Sequence, residues 1–467
     1  MSTQRKPAQL VFQGFGSRPV VTDFDGGSIT SDAGALLLAE ADRVGGYLQR
    51  FARCFVDHRD PVYVSHQVGQ LVGQRVVGIA LGYEDLNDWE QLRYDELLQL
   101  ICRRVDSTVK QPLKVGEPLA SKSTLNRMEL APVDADSTSR YKKIVYDQRA
   151  VEQYFVEVYL SNHRRAPKRI IVDLDATDDP LHGTQEGRFF HGYYDHYCYL
   201  PLYIFCGEEL LCAKLRPANI DASEGAKEEV ERIIGRIRER WAKVQIILRG
   251  DSGFCREELM GWCESNHVFY VFGLARNSRL RGKITKSMKK ARRKFFRNGG
   301  SGARVYRELR YRTRDSWSRT RRVVAKAEYL AKGENPRFVV TNIDAGIMKA
   351  GALYEDLYCA RGEMENRIKE QQLYLFADRT SSHTMRANQL RLWFSSVAYT
   401  ILSALRRVGL CGTQFATAQC HTIRLKVLKI GARISVSARR ILVSLASGYP
   451  YQREFSMIVD NLRAASP

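Results

Sequence analysis

The sequence predicts an α/β protein built around a central sheet. Two apolar runs, "RIIVDLDAT" at residues 169–177 and "VQIIL" at residues 244–248, are rich in β-branched residues, as buried strands of parallel sheets are. Between them, the apolar residues of the stretch 223–241 recur at helical spacing on one face. Strands and helices therefore follow one another along the chain, which is the pattern of an α/β fold.

The neighbouring segments extend this pattern. The runs "YLPLYIF" and "ELLCAKL" predict a hairpin around Gly207, "CREELMGWCESN" predicts a helix, and "VFYVFGLA" predicts a strand. A last helix is predicted through "EDLYCARGEMENRIKEQQLYLF" at residues 355–376. Three strands, then helix, strand, helix, strand and helix is an order typical of ribonuclease H-like folds, so we expect such a core.

The charge of the chain points to a polyanionic partner. The 467 residues carry a formal net charge of +21, and 21 Lys or Arg residues against three acids lie between Arg276 and Lys332. Alternating segments in this window, with Tyr306, Tyr311 and Trp317 among the arginines, predict a β-rich insertion with a basic outer face. A solvated surface flap is the alternative. The basic residues that we expect to touch nucleic acid are Lys289, Lys290, Arg292, Arg293 and Lys294.

Two aspartates follow the predicted parallel strands. Asp175 and Asp251 would emerge at the same sheet edge, where they would repel each other unless a cation lay between them. Mg²⁺ and Mn²⁺ take such oxygen ligands, and a third carboxylate is available from Glu363 or Glu365 on the last helix. Simpler structural roles are a helix cap for Asp251 and an ion pair of Glu365 with Arg361 four residues earlier.

Asp173 is a second candidate for the metal-binding aspartate that we assign to Asp175. The two residues are two apart on one strand and therefore point to the same face. Asp175 is nearer the carboxyl end of the strand, where Asp251 also emerges. Asp173 is therefore expected to orient the site or to pair with a basic neighbour.

The spacing Tyr358-x2-Arg361-x3-Glu365, preceded by "DLDAT" and "RGDSGF", resembles the DDE transposases of bacterial insertion sequences, in the class named YREK. The stretches "RGEMENRIKE" and "GYEDLNDWEQLRYD" are similar to the branch named after insertion sequence thirteen-eighty. The resemblance spans about residues 21–456, and "DAT" matches the Asp-x-Thr of its first motif. It implies a ribonuclease H-like core and a β-strand insertion between the second Asp and the Glu.

The resemblance also assigns roles. It implies that Asp175, Asp251 and Glu365 are the catalytic triad that binds two Mg²⁺ ions, with Mn²⁺ as a substitute, and that Tyr358 and Arg361 grip DNA near the element end. The family expects Lys seven residues after the Glu, where this chain has Gln372, and Lys369 one turn earlier is a candidate replacement. The implied partners are the terminal inverted repeats, target DNA and a second copy of the chain, and the resemblance allows a hairpin intermediate.

We divide the chain into five regions. They are a mostly helical N-terminal DNA-binding region (1–135), the first part of the core (136–275), the basic β-rich insertion (276–340), the second part of the core with the Glu helix (341–409), and a basic C-terminal DNA-binding or dimerisation region (410–467). Alternation near residues 434–436 indicates strands in the last region.

Two further alternatives concern function. A structure-specific nuclease on the same core would hydrolyse DNA without joining it, and a non-catalytic DNA-binding protein derived from a transposase would do neither. Strand joining and Mg²⁺-dependent cleavage discriminate these from a transposase. The cluster "HGYYDHYC", with His191, Asp195, His196 and Cys198, has a spacing that zinc could use, but no second ligand pair accompanies it.

The composition favours a cytosolic compartment, and the resemblance implies a bacterial protein at the nucleoid. Ten cysteines occur without a C-x-x-C pair, as expected of reduced thiols. The first residues contain no apolar segment of a signal peptide, and no stretch approaches the roughly 18 apolar residues of a membrane span.

Overall fold

The computed structural model describes residues 9–13, 16–106 and 116–465. The chain forms two compact units. We call residues 129–133 and 146–403 the sheet unit, and residues 1–128, 134–145 and 404–467 the terminal unit. Within the described ranges, no helix combines the length and the apolar character needed to cross a membrane.

The N-terminal part of the terminal unit is mostly helical, as the sequence predicts. Its helices are α1 (Ala35–Gly45), α2 (Tyr47–Ala52), α3 (Val68–Leu81), α4 (Trp89–Leu92), α5 (Glu96–Arg104) and α6 (Lys122–Glu129), of which the last ends in the sheet unit. Its short strands are β1 (Leu10–Phe12), β2 (Val20–Thr22), β3 (Ser28–Thr30), β4 (Phe55–Asp57) and β5 (Ile144–Tyr146). Helix α3 is buried along nearly its whole length, which explains its apolar sequence.

The sheet unit has α7 (Gln148–Ser161) as its first complete helix and contains the predicted strands together with others that the sequence did not predict. The strands are β6 (Arg169–Ala176), β7 (Asp179–Pro180), β8 (Phe189–His191), β9 (His196–Tyr199), β10 (Leu202–Cys206), β11 (Glu209–Lys214), β12 (Gln245–Gly250), β13 (Phe269–Leu274), β14 (Ala303–Tyr311), β15 (Arg321–Leu330), β16 (Gly333–Glu334) and β17 (Arg337–Thr341). The helices are α8 (Ala226–Arg240), α9 (Glu257–Ser265), α10 (Ser278–Lys283), α11 (Thr285–Arg297), α12 (Ala350–Ala352), α13 (Gly362–Lys369) and α14 (Met385–Ala404).

Nine of these strands form one large mixed sheet with the order β11-β10-β6-β12-β13-β17-β15-β14, in which β16 pairs with β15. Strands β7, β9 and β8 form a separate three-stranded sheet. Strands β6, β12 and β13 are parallel neighbours, while β10 and β17 pair antiparallel with the strands beside them. The strands of the insertion thus continue the same sheet through β17. Counted along the chain, β6, β10, β11, β12 and β13 have the order 3-2-1-4-5 in the sheet.

The two faces of the sheet bury different helices. Along β6 and β12, alternate residues such as Val172 and Leu248 pack with α7, α8 and α9 in the larger core. The residues between them face the other side, where Ile247 and Val271 pack with Leu353 of the helical segment that leads to α13. Asp173, Asp175 and Asp251 alternate with the first set and therefore lie on the face that carries the Glu helix.

The basic window is partly helical. It opens with α10 and α11, to which the sequence pattern assigned no element, and continues with the predicted strands β14 and β15. Helix α11 buries Met288, Ala291 and Phe295 and exposes its basic residues. Tyr311 and Trp317 are only 3% exposed, so they are core residues and not rings available to a base.

The C-terminal residues complete the terminal unit. They form α15 (Cys420–Ile423), β18 (Ala432–Val436), β19 (Ile441–Leu445) and α16 (Gln452–Ala465). Strand β18 pairs with β3 near the N-terminus, from Ala432 opposite Thr30 to Ile434 opposite Ser28. The residues at the two ends of the chain therefore contribute to one unit.

Candidate active site

Asp175 and Asp251 lie at the same edge of the central sheet. The parallel pairing of β6 with β12 runs up to Leu174 opposite Gly250, and each aspartate is the next residue on its strand. Asp251 accepts a hydrogen bond from the Gly253 amide at 2.8 Å and caps the 3-10 turn that follows β12. This bond uses Oδ1, and a carboxylate has a second oxygen for another ligand.

Arg361 links the first aspartate to the glutamate of α13. Its guanidinium lies 3.0 Å from Asp175 Oδ2 and 3.0 Å from Glu365 Oε1. Arg361 and Asp175 are each 15% exposed, whereas Glu365 is 49% exposed. The ion pair between residues 361 and 365 that the sequence allowed is therefore formed, and the same arginine brings Glu365 toward the sheet edge.

The pKa of Asp175 reflects its burial and its charged neighbours. Burial raises the pKa of Asp175 to about 6; the Arg361 charge opposes this effect, while the charges of Asp251 and Glu365 add to it. Glu363, the other candidate, instead contributes to raising the pKa of Asp173. The electrostatic neighbours of Asp175 are therefore the two acids that the sequence grouped with it.

The donor chemistry of the cluster fits a hard divalent cation. Among the described residues no group of three or more His, Cys, Asp or Glu is arranged as a ready metal cage. Arg361 instead supplies the positive charge between Asp175 and Glu365. Carboxylate oxygens that lie together at a sheet edge are the ligands that Mg²⁺ and Mn²⁺ take, so the residues fit the ions that the sequence predicts.

Asp173 is engaged in a buried ion pair. Arg249 of β12 donates from Nε to Asp173 Oδ1 at 2.5 Å and from Nη2 to Oδ2 at 2.7 Å. Its remaining nitrogen donates to the Leu357 carbonyl at 2.6 Å. The pair ties β6 and β12 to the helical segment that carries Arg361. The sequence analysis missed Arg249, although a charged residue ending so apolar a strand needs a buried partner.

Tyr358 lies beside Asp251 and is packed against the sheet. A Cβ atom at Gly273 would come within 2.7 Å of the Tyr358 hydroxyl and 2.8 Å of the Ser252 amide, so only glycine permits this approach. A pocket of about 470 Å³ opens next to them. Its lining includes Asp251, Ser252, Arg276, Arg337, Tyr354 and Tyr358. Arg276 and Arg337 are exposed and were not singled out by the sequence.

Gln372 and Lys369 have different environments. Gln372 donates to the Asp178 carbonyl at 3.0 Å and to Asp179 Oδ1 at 2.9 Å, which joins the end of the Glu helix to the segment after β6. Asp179 is fully buried, and burial raises its pKa to about 8. Lys369 is exposed on α13, one turn after Glu365. Gln372 therefore has a structural role here, and Lys369 remains a candidate DNA contact.

The basic residues of the insertion fall into two groups. The strand arginines are largely paired with acids: Arg321 with Glu257 and Glu264, and Arg322 with Glu308. The residues expected to touch DNA are instead exposed together on α11, in a cluster separate from the carboxylates. They are Lys289, Lys290, Arg292, Arg293 and Lys294.

The "HGYYDHYC" motif does not gather its possible zinc ligands. Cys198 is buried in a small apolar cluster with Leu200 and Ala218. The His196 ring lies 2.8 Å from Asp178, and Asp195 adopts a positive φ in the turn. The described residues contain no metal-holding group of this kind, so the structure does not support the zinc interpretation.

Parallel strands that bring two aspartates to one sheet edge, opposite a helix that carries a glutamate, define a candidate phosphoryl-transfer site. The chain belongs to the family "Transposase DDE domain group 1", whose profile matches residues 12–467. Among solved structures it is similar to the piggyBac transposase in the cryo-EM structure of a synaptic complex with hairpin DNA, with 10% identity over 94% of this chain and 80% of that chain and a TM-score of 0.42. No curated protein sequence matches it.

Proposed function

We propose that this protein is a DNA transposase that binds the inverted-repeat ends of an insertion sequence, cleaves them by metal-dependent hydrolysis and joins the 3′ ends to target DNA. The observation that carries the proposal is that Asp175 and Asp251 end neighbouring parallel strands while Arg361 pairs Asp175 with Glu365, in a member of a DDE transposase family. The 3-2-1-4-5 strand order supports a ribonuclease H-like core. The resemblance to the YREK class supports a bacterial element of the insertion sequence thirteen-eighty branch and a cytoplasmic protein that acts as a dimer at the nucleoid.

The reaction is phosphodiester hydrolysis at the element end, followed by attack of the freed 3′-hydroxyl on target DNA. Asp175, Asp251 and Glu365 would hold two Mg²⁺ or Mn²⁺ ions, which when bound stabilise charge on the attacking and leaving oxygens. When no metal ion is bound, Arg361 balances the negative charges of the carboxylates. Its planar guanidinium suits a phosphate once the carboxylates take other partners.

Further side chains are available for the DNA around the cleaved bond. Tyr358 borders the pocket beside Asp251, and Arg276 and Arg337 line the same pocket. Two exposed arginines next to a carboxylate that would hold a cation suit a phosphate group of the bound strand. Lys369 is exposed one turn beyond Glu365 and could contact a further phosphate.

Duplexes made from the DNA that flanks the reading frame test the proposal. With Mg²⁺ and a target plasmid, we expect nicks at the inverted-repeat ends and covalent joining of the 3′ ends to the target. Hydrolysis without joining would instead indicate a structure-specific nuclease. Binding without Mg²⁺-dependent cleavage would indicate a non-catalytic DNA-binding protein.

Replacement of the five basic residues of α11 by Gln should weaken DNA binding and flatten its salt dependence. Each lost phosphate contact lowers the slope of log K against log salt concentration by roughly 0.9. The fold should survive, because the buried face of α11, with Met288, Ala291 and Phe295, is unchanged. Replacement of the exposed Arg240 and Lys243 by Gln is the control and should leave the slope unaltered. An unchanged slope in the α11 variant would remove this helix from the DNA interface.

A further inference from the structure

A short segment after β7 is unusually rich in aromatic residues. Residues 182–197, "HGTQEGRFFHGYYDHY", contain five Phe or Tyr among sixteen residues, whereas 10% of the whole chain is aromatic. The same segment contains no Ala, Val, Leu, Ile or Met. The zinc reading of this motif does not account for the rings, and neither does the carboxylate cluster.

The rings are displayed on a hairpin. Strands β8 and β9 pair with Phe190 opposite Tyr197, and these two rings make an edge-to-face contact at 5.5 Å between centroids. We call residues 188–199 the aromatic hairpin. Tyr193 in its turn is 84% exposed, Phe190 is 52% exposed and Tyr197 is 41% exposed. The Arg188 guanidinium lies 3.6 Å from the centre of the Tyr197 ring.

The base of the hairpin is fixed near the carboxylate cluster. Strand β7 begins four residues after Asp175 and pairs with β9, with Asp179 opposite Tyr199. The His196 ring lies 2.8 Å from Asp178, and Gln372 of the Glu helix donates to both Asp178 and Asp179. The hairpin therefore follows the first aspartate along the chain, and hydrogen bonds from Gln372 hold its base to the residues just after α13.

We propose that the aromatic hairpin is a stacking platform for unpaired bases of the DNA end next to the cleaved phosphate, with Tyr193, Phe190 and Tyr197 as the rings. The inference rests on the proposed function and adds a substrate feature to it, an end whose last bases are unpaired. Proteins hold single strands by stacking bases on exposed aromatic side chains and by contacts from nearby arginines, as Arg188 could provide.

The chemistry of the hairpin favours bases over other occupants. A large exposed apolar patch marks an interaction surface. Here the exposed apolar area comes from rings alone, and the flat face of a ring stacks on a base of any type. The turn carries Asp195, which disfavours a phosphate at the tip but not the face of an uncharged base.

Binding of the full-length protein to paired and unpaired ends tests this inference. Two duplexes of the same end are compared by fluorescence anisotropy without divalent metal, one fully paired and one with its last three base pairs mismatched. We expect the wild-type protein to prefer the unpaired end by about 5- to 150-fold for each stacked base. Tyr193→Ala should lose most of this preference, and Tyr193→Phe should keep it.

Tyr141→Ala is the matched control, because Tyr141 is 54% exposed but lies in the terminal unit, outside the N-terminal DNA-binding region. It should leave the ratio of the two affinities unchanged. A 2-aminopurine at an unpaired position should be quenched by the wild-type protein and less so by Tyr193→Ala and by Phe190→Ala. These measurements report on the rings even if one variant alters binding to duplex DNA.

Several outcomes would overturn the inference. If ends are bound and cleaved but the unpaired end is not preferred, stacking is wrong and the transposase proposal stands. If neither duplex is bound, both proposals fail. If Tyr193→Ala weakens self-association in light scattering and leaves the ratio of affinities intact, the hairpin contacts a second copy and not DNA.

Discussion

Asp175→Asn is expected to abolish Mg²⁺-dependent nicking of an element end while leaving end binding nearly unchanged. Loss of residues that only support a metal ligand typically lowers affinity or activity by about 10–100-fold, so loss of a ligand itself should exceed about 100-fold. Asp251→Asn and Glu365→Gln should abolish nicking in the same way, because the charges of both carboxylates contribute to raising the pKa of Asp175. The measurement is nicking of a labelled end over a range of Mg²⁺ and Mn²⁺ concentrations, with no rescue at any of them.

Glu363→Gln is the matched control, because Glu363 is an exposed acid two residues before Glu365 on α13. Glu363→Gln should retain nicking activity. If Glu363→Gln is inactive and Glu365→Gln is active, the third metal ligand is Glu363 and not Glu365.

The loss of nicking in Asp175→Asn should not result from unfolding. The folded-state pKa of Asp175 is raised to about 6, so its ionisation lowers stability as the pH rises from about 4 through 6. Asn does not ionise, and the variant should melt no lower than the wild type at pH 7.

The sequence predicted the elements around the site because their patterns are local. Alternation along β6 and β12 and helical spacing in α8 each depend on which face of one segment is buried. Neighbouring parallel strands end at the same edge of a sheet, so the sequence could predict that Asp175 and Asp251 lie close together. The same logic predicted strands in the basic window but did not assign α11, whose charged residues obscure a narrow buried face.

The partners of the polar residues could not be read from the same patterns. Arg249 and Asp173 are 76 residues apart, and Gln372 contacts residues nearly 200 positions earlier. Counting charges also overstated the basic surface, because Arg321 and Arg322 are buried in ion pairs. Such pairs form between side chains that only the tertiary fold brings together. The sequence around one partner contains no pattern that identifies the other partner.

Asp173→Asn should destabilise the sheet unit and should not behave as the loss of a metal ligand. Asp173 is 4% exposed and Arg249 is 6% exposed, so removing the carboxylate leaves a buried guanidinium without its counter-charge. Breaking a buried pair in this way costs about 3–5 kcal/mol. For a unit of this size the melting temperature should fall by roughly 6–20 °C. Activity should fall with it, and extra metal should not restore what the fold has lost.

The exposed pair of Arg256 with Asp221 provides the control, since its distance of 2.7 Å is similar but its side chains are 46% and 45% exposed. Asp221→Asn should cost no more than about 1 kcal/mol. A similar loss in both variants would mean that burial does not set the strength of the Asp173 pair. The double replacement Asp173→Leu with Arg249→Met should recover part of the stability, because it removes both buried charges together. It should not recover all of it, since the Leu357 carbonyl loses the donor that Arg249 provides, and an unpaired buried acceptor costs about 1–3 kcal/mol.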